Sequence, residues 1–176
     1  MLETLISSKT RIKLLLKFFL NSSNTAYLRG LESEFGESSN SIRLELNKLE
    51  GAGLLTSKIE GNKKLFSANT THPLYGDINS ILYKFTGLDK VIEKVIDKLG
   101  DLEYVLLVGD LARGLNTEVI DLILVGDIDK EYAFDLVQKA EVKLKKKIKY
   151  VCYKLNEFDP VKKRTYASDH LLLWSK

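Results

Sequence analysis

Cysteine and proline are scarce in this chain, with one Cys and two Pro in 176 residues. A lone Cys152 cannot build an internal disulfide framework, and that points to a reducing compartment. It stands in the apolar run Tyr150-Val151-Cys152-Tyr153, where a free thiol is expected to be buried and structural. Scarce Pro beside 44% hydrophobic and 29% charged residues excludes a disordered chain. Long apolar runs are missing as well. Residues 14–20 are broken by Lys17 and are far too short to span a bilayer. Met1 leads straight into a mixed polar and apolar pattern, so no secretory leader is expected. Histidine is limited to His72 and His170, neither with a partner at metal-ligand spacing, and no cofactor or bound metal is expected. These absences describe a soluble, cytoplasmic protein with no membrane partner.

A large charge of one sign is also missing, because the net charge is only +3. Its distribution carries more information. Residues 1–70 hold 7 Lys and 3 Arg against 7 Glu and no Asp, so the whole excess lies in the first segment. There, Ile12, Leu15, Leu16 and Phe19 recur at helical spacing, which predicts a helix over 8–20 that ends at Asn21-Ser22-Ser23-Asn24. A short helix is predicted over 27–35 from Leu28, Leu31 and Phe35, with Gly36 past its end. Ser38-Ser39-Asn40 offers an N-cap for a third helix reaching about Ala52, whose inner face is Ile42, Leu46 and Leu49. Two strand-like runs, 54–59 and 64–67, flank Glu60-Gly61-Asn62-Lys63, a hairpin signal.

This order is the plan of a winged helix-turn-helix. The third helix then turns Asn40, Ser41, Arg43, Leu44, Asn47 and Lys48 outward. Arg pairs bidentately with guanine and Asn with adenine, Leu meets a thymine methyl, and Ser or Lys holds phosphate. The hairpin tip, Asn62, Lys63 and Lys64, is placed to touch the backbone of double-stranded DNA. Taken singly, each of these side chains reads first as solvated surface, and only their combination favours DNA contact. The segment Asn40-Ser41-Ile42-Arg43-Leu44-Glu45-Leu46-Asn47-Lys48-Leu49-Glu50-Gly51-Ala52-Gly53-Leu54-Leu55 resembles the recognition helix and following turn of ArsR-like winged-helix transcriptional regulators. Ile59-Glu60-Gly61-Asn62-Lys63-Lys64-Leu65-Phe66 is similar to their wing. The metal-sensing cysteines of those proteins have no counterpart here, so metal sensing of that kind is not expected.

After the linker Thr70-Thr71-His72-Pro73, helices are predicted over 75–85 and 88–99. They are followed by strands at 104–108 and 119–125, a helix over 129–147, and strands at 148–153 and 171–174. The fold class is therefore α+β. Residues 1–70 form the DNA-binding domain, 71–100 a linker with dimerisation helices, and 101–176 a small α/β domain. Tyr104-Val105-Leu106-Leu107-Val108-Gly109-Asp110-Leu111-Ala112-Arg113-Gly114, then Val119-Ile120-Asp121-Leu122-Ile123-Leu124-Val125-Gly126, resembles the core of minimal nucleotidyltransferases of the polymerase-beta type.

That family pairs a Gly-Ser turn with two strand carboxylates at i and i+2, which point the same way and share divalent ions. Gly109, Arg113 and Asp121 match the pattern. Asp110 stands where Ser is usual, Val119 where the first Asp is usual, and Lys149 where a third carboxylate is usual. The resemblance thus implies a vestigial nucleotide site of Gly109, Asp110, Arg113 and Asp121 with no catalytic residue, and a chain that is not an enzyme. Three functions stay open. One is a homodimeric, sequence-specific regulator whose second domain dimerises, contacts a partner or senses a ligand. The others are an active metal-dependent nucleotidyltransferase and a protein-interaction adaptor. The lysine run Lys143, Lys145, Lys146, Lys147 and Lys149 reads first as a solvated helix end.

Overall fold

Ser8 and Asn21 bracket the helix expected over 8–20. Ser8 accepts the Arg11 amide at 3.2 Å and starts α2 (Lys9–Leu15), with the short α1 (Leu2–Leu5) ahead of it. The far end departs from a regular helix, because Leu16–Leu20 widens into a π-helical turn. Its five residues are all buried, with Phe18 and Phe19 fully so. This run is apolar nearly all round and is covered on every side. Lys17 lies within it by stretching its stem through the core to set Nζ 2.7 Å from Glu34. Asn24 closes the end by donating to the Lys17 carbonyl at 2.9 Å.

The computed structural model describes residues 2–158 and 170–176. It is a mixed α+β structure with two sheets, divided into two units, Met1–Phe85 and Thr86–Lys176. No helix among the described residues is long and apolar enough to cross a membrane.

In the first unit, β1 (Ala26–Tyr27) leads into α3 (Leu28–Phe35), which ends on Gly36 in the left-handed region. Ser38 caps α4 (Ser39–Gly51), and Ile42, Leu46 and Leu49 bury its inner face. Then β2 (Leu55–Glu60) and β3 (Lys63–Ala68) pair antiparallel around Gly61-Asn62. Positive φ at Gly61 alone is the type II′ pattern, whose twist matches that of the strands. The two-residue β1 is missing from the sequence reading, being too short to leave a pattern. It completes a three-stranded sheet in the order β1-β3-β2. The helix α5 (Tyr75–Thr86) returns to the π turn, where Asn79 donates to the Phe19 carbonyl at 2.6 Å and Tyr75 packs on the Phe19 ring.

Three basic residues of α2 and its extension each find a glutamate. Arg11 meets Glu45 at 2.7 Å, Lys13 meets Glu37 at 2.6 Å, and Lys17 meets Glu34.

In the second unit, α6 (Leu88–Lys94) stops at Val95, followed by a 3-10 turn at Ile96–Lys98, where the sequence suggests one continuous helix. The strands β4 (Leu102–Val108), β5 (Val119–Gly126), β6 (Lys147–Tyr153) and β7 (Leu171–Ser175) lie in the order β6-β5-β4-β7. A short α7 (Gly109–Ala112) occupies the turn after β4. Between β5 and β6 runs α8 (Lys130–Leu144), capped by Asp129 and ended by Lys145 at φ +55. That left-handed residue ends the helix before 147, the end expected from sequence. Parallel β5 and β6 with an intervening helix form a βαβ crossover. Accordingly β5, covered on both faces, buries every residue from Leu122 to Val125. Cys152 is half-buried rather than buried, since it lies on the edge strand β6; burial still raises its thiol pKa and keeps it protonated.

Burial alone would raise the Glu37 and Glu45 carboxyls. Hydrogen bonds and charge from Lys13 and Thr10 at Glu37, and from Arg11 at Glu45, outweigh it and hold both below their ordinary 4.5. Stability from a lowered carboxylate is complete above the unfolded value and is lost as pH falls through the folded one. Circular-dichroism melts should therefore change little between neutral pH and about 5 and decline below it. Glu45→Gln should melt lower at pH 7 and lose less on acidification; equal acid sensitivity would remove Glu45 from that effect.

Candidate functional site

Packing of α4 by one face decides what its other face offers. With Ile42, Leu46 and Leu49 inward, the exposed side carries Asn40, Arg43, Leu44, Asn47 and Lys48. Leu44 is 53% exposed, a large apolar side chain left in solvent. Ser41 is turned the other way, with its hydroxyl 3.0 Å from that of Thr10 on α2. Lys48 leans toward Glu45 at 3.5 Å.

Between α4 and the hairpin lies an open cleft of about 470 Å³. Arg43 and Asn47 line it from α4, and Asn62, Lys63 and Lys64 from the hairpin, while Leu46 and Phe66 also contribute to its wall. Asn40, Ser41, Leu44 and Lys48 are not among its lining residues. Tyr27 and Arg29, at the start of α3, join the cleft without having been singled out from sequence. Arg29 carried a signal nonetheless, as an exposed cation in the first turn of the helix preceding α4.

The hairpin lysines are held in place. Lys63 Nζ lies 4.3 Å from the centroid of the Tyr27 ring. Lys64 lies 2.8 Å from Glu50 and 5.0 Å from the Phe66 centroid. Hydrogen bonds from Lys64, and then from Ser57, keep the Glu50 carboxyl below its ordinary range. No carboxylate lines the cleft, and Arg29, Arg43 and Lys63 form no ion pair among the described residues.

A second cluster stands in the other unit, where β4 and β5 end side by side with Val108 opposite Asp121. Gly109 turns at φ +71, and a Cβ there would stand 2.8 Å from the Asp121 carboxylate. Asp110 is bonded to Arg113 of the same turn, one charge neutralising the other. All four residues of the expected nucleotide site thus lie on this turn and the strand beside it. The parallel register adds Lys149 beside Asp121 and Lys147 beside Val119. Lys147 is drawn to Glu141 at 3.2 Å, and Lys146 donates to the Thr117 carbonyl at 2.8 Å, so the lysine run is partly tied down. No group of three His, Cys, Asp or Glu side chains among the described residues is arranged to hold a metal ion. A pair of divalent ions does not fit this donor set.

No family model matches the chain, and no curated protein matches it. Several solved structures are similar to about half of it. The tri-AMPylated Shewanella oneidensis HEPN toxin in complex with MNT antitoxin is 20% identical over 52% of this chain and 73% of its own, with a TM-score of 0.38. A toxin-antitoxin with AMP-PNP is 21% identical over 50% and 73%, at 0.40. Reduced HlyU from Vibrio cholerae is 16% identical over 49% and 83%, at 0.39.

The expectation that this chain is not an enzyme is corrected here. The similar structures include one with an AMPylated toxin and one with AMP-PNP. The Asp110 carboxylate, standing where Ser is usual, is paired with Arg113 and is not a lone negative charge at the turn.

At φ +71, an L side chain costs about 1–2 kcal/mol. Gly109→Ala should lower the unfolding free energy of the second unit by about that amount. A urea titration followed by fluorescence of Trp174, the single Trp of the chain, measures it. An unchanged midpoint would mean that the turn relaxes without strain.

Proposed function

We propose that this protein is a sequence-specific, DNA-binding transcriptional regulator whose first unit is an ArsR-like winged helix-turn-helix. In this reading α4 enters the major groove and the β2–β3 hairpin is the wing. One observation carries it: Arg29, Arg43, Asn47, Asn62 and Lys63 converge on one open cleft that no carboxylate lines. Such a surface suits a phosphate backbone flanked by base edges. Arg43 and Asn47 are the base-reading residues, and Leu44 offers an apolar contact to a thymine methyl. Asn40 and Lys48 lie nearer the flanking phosphates, with Asn62, Lys63 and Lys64 on the adjoining backbone.

Two-fold symmetry would double the half-sites read, which favours a homodimer. Leu5, Leu74 and Ile81 are 79%, 52% and 49% exposed and are the apolar residues we assign to that contact. The second unit is nucleotidyltransferase-like, and in this reading Gly109, Asp110, Arg113 and Asp121 form a ligand site that couples a small molecule to DNA binding.

The test is a gel shift with DNA from upstream of the protein's own gene, across a salt series. Wild type should give a specific shift that weakens as salt rises. Arg43→Ala should weaken it by roughly 5- to 100-fold, the loss of one bidentate base contact. No shift at low salt and micromolar protein would defeat the regulator reading. Sedimentation across a concentration series should show a dimer that Ile81→Glu converts to monomer; a wild type monomeric throughout would remove the dimer.

A further inference from the structure

Lysines crowd the end of α8 and the start of β6, at Lys143, Lys145, Lys146, Lys147 and Lys149, with Lys139 one turn earlier. Between 139 and 149 the only acid is Glu141, and its oxygens accept the Ile148 amide at 2.8 Å and the Lys147 ammonium at 3.2 Å. A shallow concavity of about 380 Å³ opens there, lined by Lys145, Lys146 and Lys147 with Val142, Glu118 and Glu141. Lys139, Lys143 and Lys145 are exposed and form no ion pair among the described residues.

Ordinary structural roles account for part of this run. Lys143 stands in the last turn of α8, where the helix dipole favours a cation. Lys147 and Lys149 guard the edge strand β6 against pairing with other chains. Neither role reaches Lys145. It sits in the left-handed region at φ +55, the one non-glycine residue with positive φ among the described residues. Gly36 fills the equivalent place after α3. A side chain at such a position costs free energy that glycine would not, and strain of this kind is retained where function needs the side chain.

The residue types point to the ligand. Lysine offers a point charge and lacks the planar fork with which arginine reads a base edge. No Arg, Asn or aromatic residue stands between 139 and 149. Clustered lysines neutralise successive phosphates without regard to sequence. We infer that this patch binds the phosphate backbone of double-stranded DNA, whatever the base sequence. The inference rests on the DNA-binding reading of the first unit and adds a contact outside its cleft. The patch supplies affinity and salt dependence, while Arg43 and Asn47 supply selectivity.

The full chain is titrated by fluorescence anisotropy against two labelled duplexes, the upstream DNA and a scrambled sequence, across a salt series. Combining Lys139→Gln, Lys143→Gln and Lys145→Gln should lower the salt slope by about 2 to 3, since each lost phosphate contact removes about 0.9. Both duplexes should weaken alike, leaving their affinity ratio within about twofold of wild type. Unchanged circular dichroism shows that the triple variant is folded. Lys145→Gly should raise the urea midpoint, because glycine adopts that conformation freely, and yet weaken both duplexes severalfold.

A triple variant with an unchanged salt slope overturns the inference and leaves the regulator reading standing. So does a Lys145→Gly protein that is more stable and binds DNA as wild type does. Binding of poly-L-glutamate that the triple variant loses, with duplex binding unchanged, assigns the patch to an acidic polypeptide and overturns the inference as well. Equal wild-type affinity for the two duplexes, with the slope lowered in the triple variant, supports the patch and removes sequence-specific regulation. A wild type that binds neither duplex at low salt overturns both.

Discussion

The run from Leu14 to Leu20 is apolar nearly all round and has to be covered on every side. That requirement organises the first unit. Within it lies the π turn, the Lys17 ammonium reaches through the core to Glu34, and α5 comes back so that Asn79 satisfies the Phe19 carbonyl. Burying Phe18 and Phe19 contributes about 1.5–3 kcal/mol for each side chain removed from water. The ion pairs from α2 to Glu37 and Glu45 sit at the margin of this core. They add less stability than orientation, because each locks α2 to the segment that begins or carries α4.

Orientation is what matters for the cleft. Only when Ile42, Leu46 and Leu49 point inward do Arg43 and Asn47 face the hairpin. The hairpin in turn needs its tip lysines spread over rings and paired with Glu50, since long basic side chains left free would lose more entropy on meeting a ligand. Tyr27 links the two halves of this arrangement. It pairs in β1 with Leu65 of β3 and presents its ring to Lys63.

In the second unit the comparable constraint is the central position of β5. Covered on both faces, it leaves polar chemistry only at its ends, and Asp121 stands at one of them beside the Gly109 turn. The same geometry places Lys149 alongside it. Electrostatics there is local: an Asp–Arg pair within one turn and an Asp–Lys juxtaposition across one strand gap. Counting carboxylates along the sequence does not register either of these pairings.

Sequence alone determined the elements whose patterns are local. Helical spacing located the helices that became α2, α3 and α4, the Gly61-Asn62 pair located the hairpin, and alternation of strands with a helix located the second sheet. It also singled out Arg43, Asn47 and the hairpin lysines, because residue type and helical face suffice for that. Tertiary structure decided everything that depends on partners distant in sequence. The π turn left no signal in the spacing, and β1 exists only by pairing with β3. Arg29 and Tyr27 enter the cleft through the packing of α3, and Lys149 meets Asp121 only because β6 runs parallel to β5 in one register. Periodicity reports which way a side chain points from its own axis. It contains nothing about what stands opposite.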